Sequence, residues 1–133
     1  MDRLRRRAPK GLAALFIGSG TLHLLRPGTF AAAVPAALPA HGPIIAISGI
    51  AELLCAAGLI ARNRMAGRLS AILLVAILPG NATMALRASA DPTSSRLARL
   101  TLWTRLPLHL PLIWSALQSG RSPAPESQRI KLA

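Results

Sequence analysis

The sequence predicts an all-α integral membrane protein, an antiparallel four-helix bundle with a short interfacial segment between spans 1 and 2. Of its 133 residues, 52% are hydrophobic and only 15% charged, an apolar excess that excludes disorder. The ionisable side chains collect in clusters that separate four apolar stretches. Those stretches are rich in Leu, Ala and Ile and lack the two-residue alternation of a barrel strand, so helices are the expected way to satisfy their backbone groups in lipid.

In chain order, residues 1–10 are expected to form a basic cytoplasmic tail, ahead of a first span over about 8–25 in which Lys10 reaches back to the headgroups. The connection RPGTFAAAVPAALPAHG, residues 26–42, is too apolar for a solvated loop and too rich in proline for a span. A short interfacial or re-entrant segment capping the outer end of the bundle reconciles the two. The second span covers 43–61, and Arg62-Asn63-Arg64-Met65 is a tight hairpin into a third span at 69–86. ASADPTSS, within residues 87–99, predicts an exposed flexible loop. The fourth span takes 100–118, and residues 119–133 are expected as a disordered cytoplasmic tail. At 1.5 Å per residue each apolar stretch covers roughly 23–29 Å, close to the ~30 Å hydrocarbon layer.

Charge sets the expected orientation. The net charge is +12, and eleven of the sixteen basic residues fall in the N-terminal tail, the hairpin region at Arg62, Arg64 and Arg68, and the C-terminal tail. The positive-inside rule then places both termini in the cytoplasm. The charge is thus read as a topology signal, with the lipid bilayer as partner. Nucleic acid is not expected as a partner, because aromatic residues for base stacking make up only 3% of the chain. The single cysteine, Cys55, excludes an intramolecular disulfide, a redox pair and a cysteine-based zinc site. A cleavable signal peptide is disfavoured, since Arg26-Pro27 interrupts the path to the small residues Ala31-Ala32-Ala33.

Polar groups within the apolar layers are the candidate functional residues. Glu52 is the only acid in a predicted span, and Arg105 is the only base well inside one. A buried carboxylate is either protonated or paired, so a Glu52–Arg105 ion pair is the economical expectation. His109 shares a helix face with Arg105 four residues before it, flanked by Pro107 and Pro111. Asn81 follows Pro79-Gly80, where a broken helix would expose backbone groups to a buried amide; it bonds between helices or contacts a ligand. His23 closes the first span, Cys55 reads as a packing residue, and Trp103 and Trp114 suit anchoring near the two ends of the fourth span. The candidate ligand-binding set is therefore Glu52, Arg105, His109, Asn81 and His23. No catalytic residue and no metal site is assigned: His23, His109 and Glu52 come from different spans without ligand spacing.

The series HLLRPGTFAAAVPAALP, SGIAELL, ILPGNATMAL and TRLPLHLPLIW resembles the DoxX-like family of small four-span bacterial membrane proteins over about residues 11–118. His23, Pro27, Phe30, Pro35 and Pro39 match its first motif, and Ser48, Gly49 and Glu52 its second. Pro79 and Asn81 match the third, and Arg105, Leu106, Pro107 and Leu108 the fourth. Gly80 and His109 depart from it, standing where Ala and Gln are commoner. The resemblance implies a multi-pass protein of the bacterial cytoplasmic membrane that acts as an accessory subunit in quinone-linked redox metabolism. A redox protein would be its partner, and a homo-oligomer is equally compatible. It would not be a stand-alone enzyme and would carry no intrinsic cofactor, with a quinone as its bound ligand. A small-molecule permease or exporter and a purely structural membrane subunit are the alternatives.

Overall fold

A computed structural model describes residues 2–34 and 38–119, with side chains from Arg7 onward. Four α-helices and one 3₁₀ helix make up the described residues, which contain no strand. They are α1 (Asp2–Leu25), the 3₁₀ helix (Pro27–Ala33), α2 (His41–Ile60), α3 (Arg64–Ala90) and α4 (Arg96–Gln118). The backbone of each α-helix closely approaches that of the next and α1 also closely approaches α4, whereas α1 and α3, and α2 and α4, lie diagonally without close backbone approach. Two of the helices, α2 and α3, are long and apolar enough to cross a membrane by length and composition.

The helices overrun the expected spans. α1 begins at Asp2, so the segment expected as a basic tail is helical, consistent with its Arg and Leu content. α3 runs unbroken through Pro79, so the expected break before Asn81 does not occur. The Pro79 carbonyl there accepts the Thr83 hydroxyl at 2.9 Å. The C-terminal tail expected at 119–133 lies outside the described residues beyond Ser119, as does Pro35.

Local chemistry explains the turns. Arg62 takes φ 56°, a left-handed conformation that ends α2 while the Asn63 amide bonds the Gly58 carbonyl at 2.9 Å. The Asn63 side chain then caps α3 by accepting the Met65 amide at 2.9 Å. The connection expected as a flexible loop is short and organised. Asp91 accepts the Thr93 amide at 2.9 Å and the Thr93 hydroxyl at 2.7 Å, an Asx-type turn. Ser95 caps α4 by accepting the Ala98 amide at 3.1 Å. The apolar connection after Leu25 becomes the 3₁₀ helix, which packs on α1, α2 and α3. Arg87 of α3 fastens its end, donating to the Ala32 and Val34 carbonyls at 3.0 and 3.4 Å.

Apolar packing is divided between the two ends. Around the α2–α3 turn, Leu12, Ala13 and Phe16 of α1 join Cys55, Ala56 and Leu59 of α2, Ala66, Ala71 and Leu74 of α3, and Ala116 of α4. At the other end a small cluster holds only Phe30, Val34 and Ile45.

Candidate functional site

Between these clusters lies a polar layer built chiefly on the α1–α2 contact. Gly20 and Gly49 face each other there so closely that a Cβ on Gly20 would stand 2.7 Å from the Gly49 carbonyl oxygen. Only glycine permits this approach, and it draws His23 and Glu52 together across the two helices. Glu52 is 2% exposed. Its Oε2 lies 3.7 Å from His23 Nδ1 and makes no hydrogen bond. Ser19, one turn before His23, places its hydroxyl 3.5 Å from His23 Nδ1.

His23 is held on two sides. Its Nδ1–H donates to the Ser19 carbonyl at 2.9 Å, and its ring stacks on Phe30 with centroids 3.6 Å apart and planes at 15°. With the proton on Nδ1, the neutral ring offers Nε2 as an acceptor. His109 uses the same device, donating from Nδ1 to the Arg105 carbonyl at 2.8 Å. Its Nε2, however, accepts Asn81 Nδ2 at 3.2 Å, so both ring nitrogens are engaged. The two histidines therefore differ in availability, although the sequence treats them alike.

A cavity of about 310 Å³ opens onto Glu52, His23, Ser19, Ser48 and Asn81. Apart from Thr83 its remaining walls are apolar, including Phe30 and Val34 from the 3₁₀ segment and Ile45 and Ile77 from α2 and α3. That volume and lining, apolar with a few convergent polar groups, match small-molecule sites.

Three of the five candidate residues thus share this cavity, namely His23, Glu52 and Asn81. His109 stands behind Asn81 as its hydrogen-bond acceptor and does not line it. Arg105 makes neither ion pair nor hydrogen bond with Glu52, and its charge acts on the carboxylate only from a distance. The expected Glu52–Arg105 pair is replaced by Glu52–His23, because the glycine contact brings α1, not α4, against Glu52. Arg105 lines a second cavity of about 400 Å³ on the other side of Phe30, a residue common to both. Among the described residues no three His, Cys, Asp or Glu side chains gather into a metal site.

Sequence reasoning gave Phe30 only as a motif match and Arg87 no role at all. The Pro27-Gly28 turn, which folds the chain back over the end of α1, was the signal for Phe30. Nothing local marks Arg87 as the clamp on the 3₁₀ segment.

These features define an all-helical protein with two membrane-capable helices and a buried carboxylate–imidazole couple facing a small cavity. Residues 12–119 match the sequence model of a family described as a domain of unknown function, DUF8561, and the chain belongs to that family. No curated protein and no solved structure matches it.

Proposed function

We propose that the protein is a multi-pass component of the bacterial cytoplasmic membrane that binds a small molecule in the cavity at His23 and Glu52. All four α-helices cross the bilayer, with both termini cytoplasmic. Several observations support the membrane reading. Only 28% of the apolar window of α2 and 22% of that of α3 are buried inside the protein. Soluble core helices would be enclosed, whereas these turn their apolar surface outward, as do Leu15 of α1 and Leu110 of α4. Arg62 and Arg64 flank the turn where Leu12 and Phe16 of α1 pack with Ala116 from the last turn of α4, the arrangement the positive-inside rule favours.

The observation that carries the binding role is the Glu52 Oε2, buried without a hydrogen-bond partner beside an imidazole held in place by Ser19 and Phe30. An unsatisfied buried polar atom is costly and calls for a partner. The occupant is a flat, mostly apolar molecule with one or two polar oxygens, for which a quinone headgroup has the right chemistry. His23 Nε2 would accept from a hydroxyl of its reduced form, a protonated Glu52 would donate to a carbonyl oxygen of its oxidised form, and Ser48 and Asn81 would orient it. The resemblance to DoxX-like proteins supports an accessory role in quinone-linked redox metabolism, in complex with a redox protein and not as a stand-alone enzyme.

Mass spectrometry of small molecules extracted from gently solubilised, purified protein tests this reading. Wild type should retain a quinone that Glu52→Gln and His23→Ala both lose. If wild type carries only bulk lipid, or both variants retain the ligand fully, the binding role falls.

A further inference from the structure

Arg105 lies too far from Glu52 to neutralise it, and its surroundings suit a different partner. Its cavity of about 400 Å³ is lined by the hydroxyl residues Thr29, Ser95 and Thr101 together with apolar groups such as Leu22 and Leu97. No carboxylate lines it, and the exposed Arg105 guanidinium makes no hydrogen bond or ion pair with any described residue. Side chains on a helix lean toward its N-terminus, which carries Arg105 back along α4 toward Ser95 and Ala98, both of which line the same cavity.

The electrostatics there are one-sided. Arg26, Arg87, Arg96 and Arg99 belong to the same end of the molecule. Asp91, in the turn that leads into α4, already accepts hydrogen bonds from Thr93 and Ser94. The first turn of α4 adds the positive end of a helix dipole. Ser95 accepts the Ala98 amide and so keeps its own hydroxyl proton to donate. A guanidinium, a free hydroxyl donor and a positive field with no opposing carboxylate are the requirements of an anion site.

We infer that the cavity beside Arg105 binds a phosphate-bearing anion, with Arg105 as its principal ligand. The phosphate is carried by an anionic phospholipid or is free in solution. In the lipid case the exposed Leu97 and Leu100 accompany the acyl chains. This site is separate from the His23–Glu52 cavity, and Phe30 forms the wall between them. The lipid source rests on the membrane reading, while binding of free phosphate does not.

Native mass spectrometry of the detergent-solubilised protein, with phosphatidylglycerol or phosphatidylcholine added, reads the lipid source, and calorimetry with inorganic phosphate reads the other. Wild type should retain phosphatidylglycerol over phosphatidylcholine by about tenfold, a difference of ~1.4 kcal/mol. Arg105→Gln should abolish that preference, and Arg105→Lys should keep part of it, since lysine preserves charge but not the bidentate fork. Arg68→Gln, which removes an exposed charge near the α2–α3 turn at the opposite end, should leave it intact. Phosphate binding that is lost in Arg105→Gln, without a lipid preference, would assign the site to the free ion. The inference is overturned if Arg105→Gln matches wild type in both measurements, or if Arg68→Gln is as damaging as Arg105→Gln.

Discussion

Leu12 and Glu52 sit on adjoining helices and are almost equally buried, at 1% and 2% exposed. Leu12 is surrounded by Phe16, Cys55, Leu59 and other apolar groups drawn from all four α-helices. Glu52 has a histidine 3.7 Å away, an unpartnered oxygen and a cavity before it. One end of the molecule is closed by side-chain packing, and the other keeps space open at the expense of packing. Cavities and unsatisfied polar groups are destabilising, so the tightly packed end is where the fold must recover that loss. The difference separates residues whose replacement breaks the protein from residues whose replacement changes what it binds.

The largest expected effect is therefore at the packed end. Gly67 of α3 lies directly against the Ala116 carbonyl and the Ser119 hydroxyl of α4, with no room for a Cβ. Gly67→Ala should force those two helices apart and cost about 2 kcal/mol, read as a lower unfolding midpoint in detergent. Gly18→Ala is the matched control, because nothing stands within 4 Å of a Cβ at Gly18. It should leave the midpoint unchanged or raise it slightly through helix propensity. Equal midpoints for the two variants would mean that the close α3–α4 approach at Gly67 is not what stabilises this end.

A sharper test lies in the polar layer. Asn81→Leu removes the donor to His109 Nε2 and leaves a buried imidazole nitrogen unpaired, a loss of about 1–2 kcal/mol. Adding His109→Leu removes the orphaned group as well, so the double variant should recover much of that stability. If the double variant is less stable than Asn81→Leu alone, the pair is not an isolated hydrogen bond but part of a larger network.

Helical content and the polar residues worth examining were legible in the sequence, because charge clusters delimit apolar runs and buried ionisable groups are rare. Partner choice was not. The sequence offered one acid and one base within the predicted spans, and pairing them was economical. What it could not convey was the rotation of α1 about its axis, set by the Gly20–Gly49 approach, which turns His23 toward Glu52. Nor did it reveal that Phe30 would divide the polar region into two cavities, since that depends on how a proline-rich connection folds back. The helix ends were misjudged for a related reason. Arginines flanking an apolar run continue a helix readily, so the limit of apolarity is not the limit of the helix.

The smallest effect concerns the α3–α4 turn, where the sequence suggested a flexible loop and the structure shows an ordered one. Hydrogen bonds from the Thr93 hydroxyl and amide hold the Asp91 carboxyl below the usual carboxylate range. A depressed acid contributes order above its ordinary pKa, near ~4, and loses that contribution as pH falls through the lower folded value. The Thr93 amide, which donates to Asp91, should therefore stay protected from hydrogen exchange at pH 4 in the wild type and lose protection only below that. In Asp91→Ala it should be unprotected at every pH, while global unfolding changes little because Asp91 is exposed. Protection already lost at pH 4 in the wild type would mean that these hydrogen bonds do not hold the carboxylate, and the turn would then be the flexible segment its composition suggests.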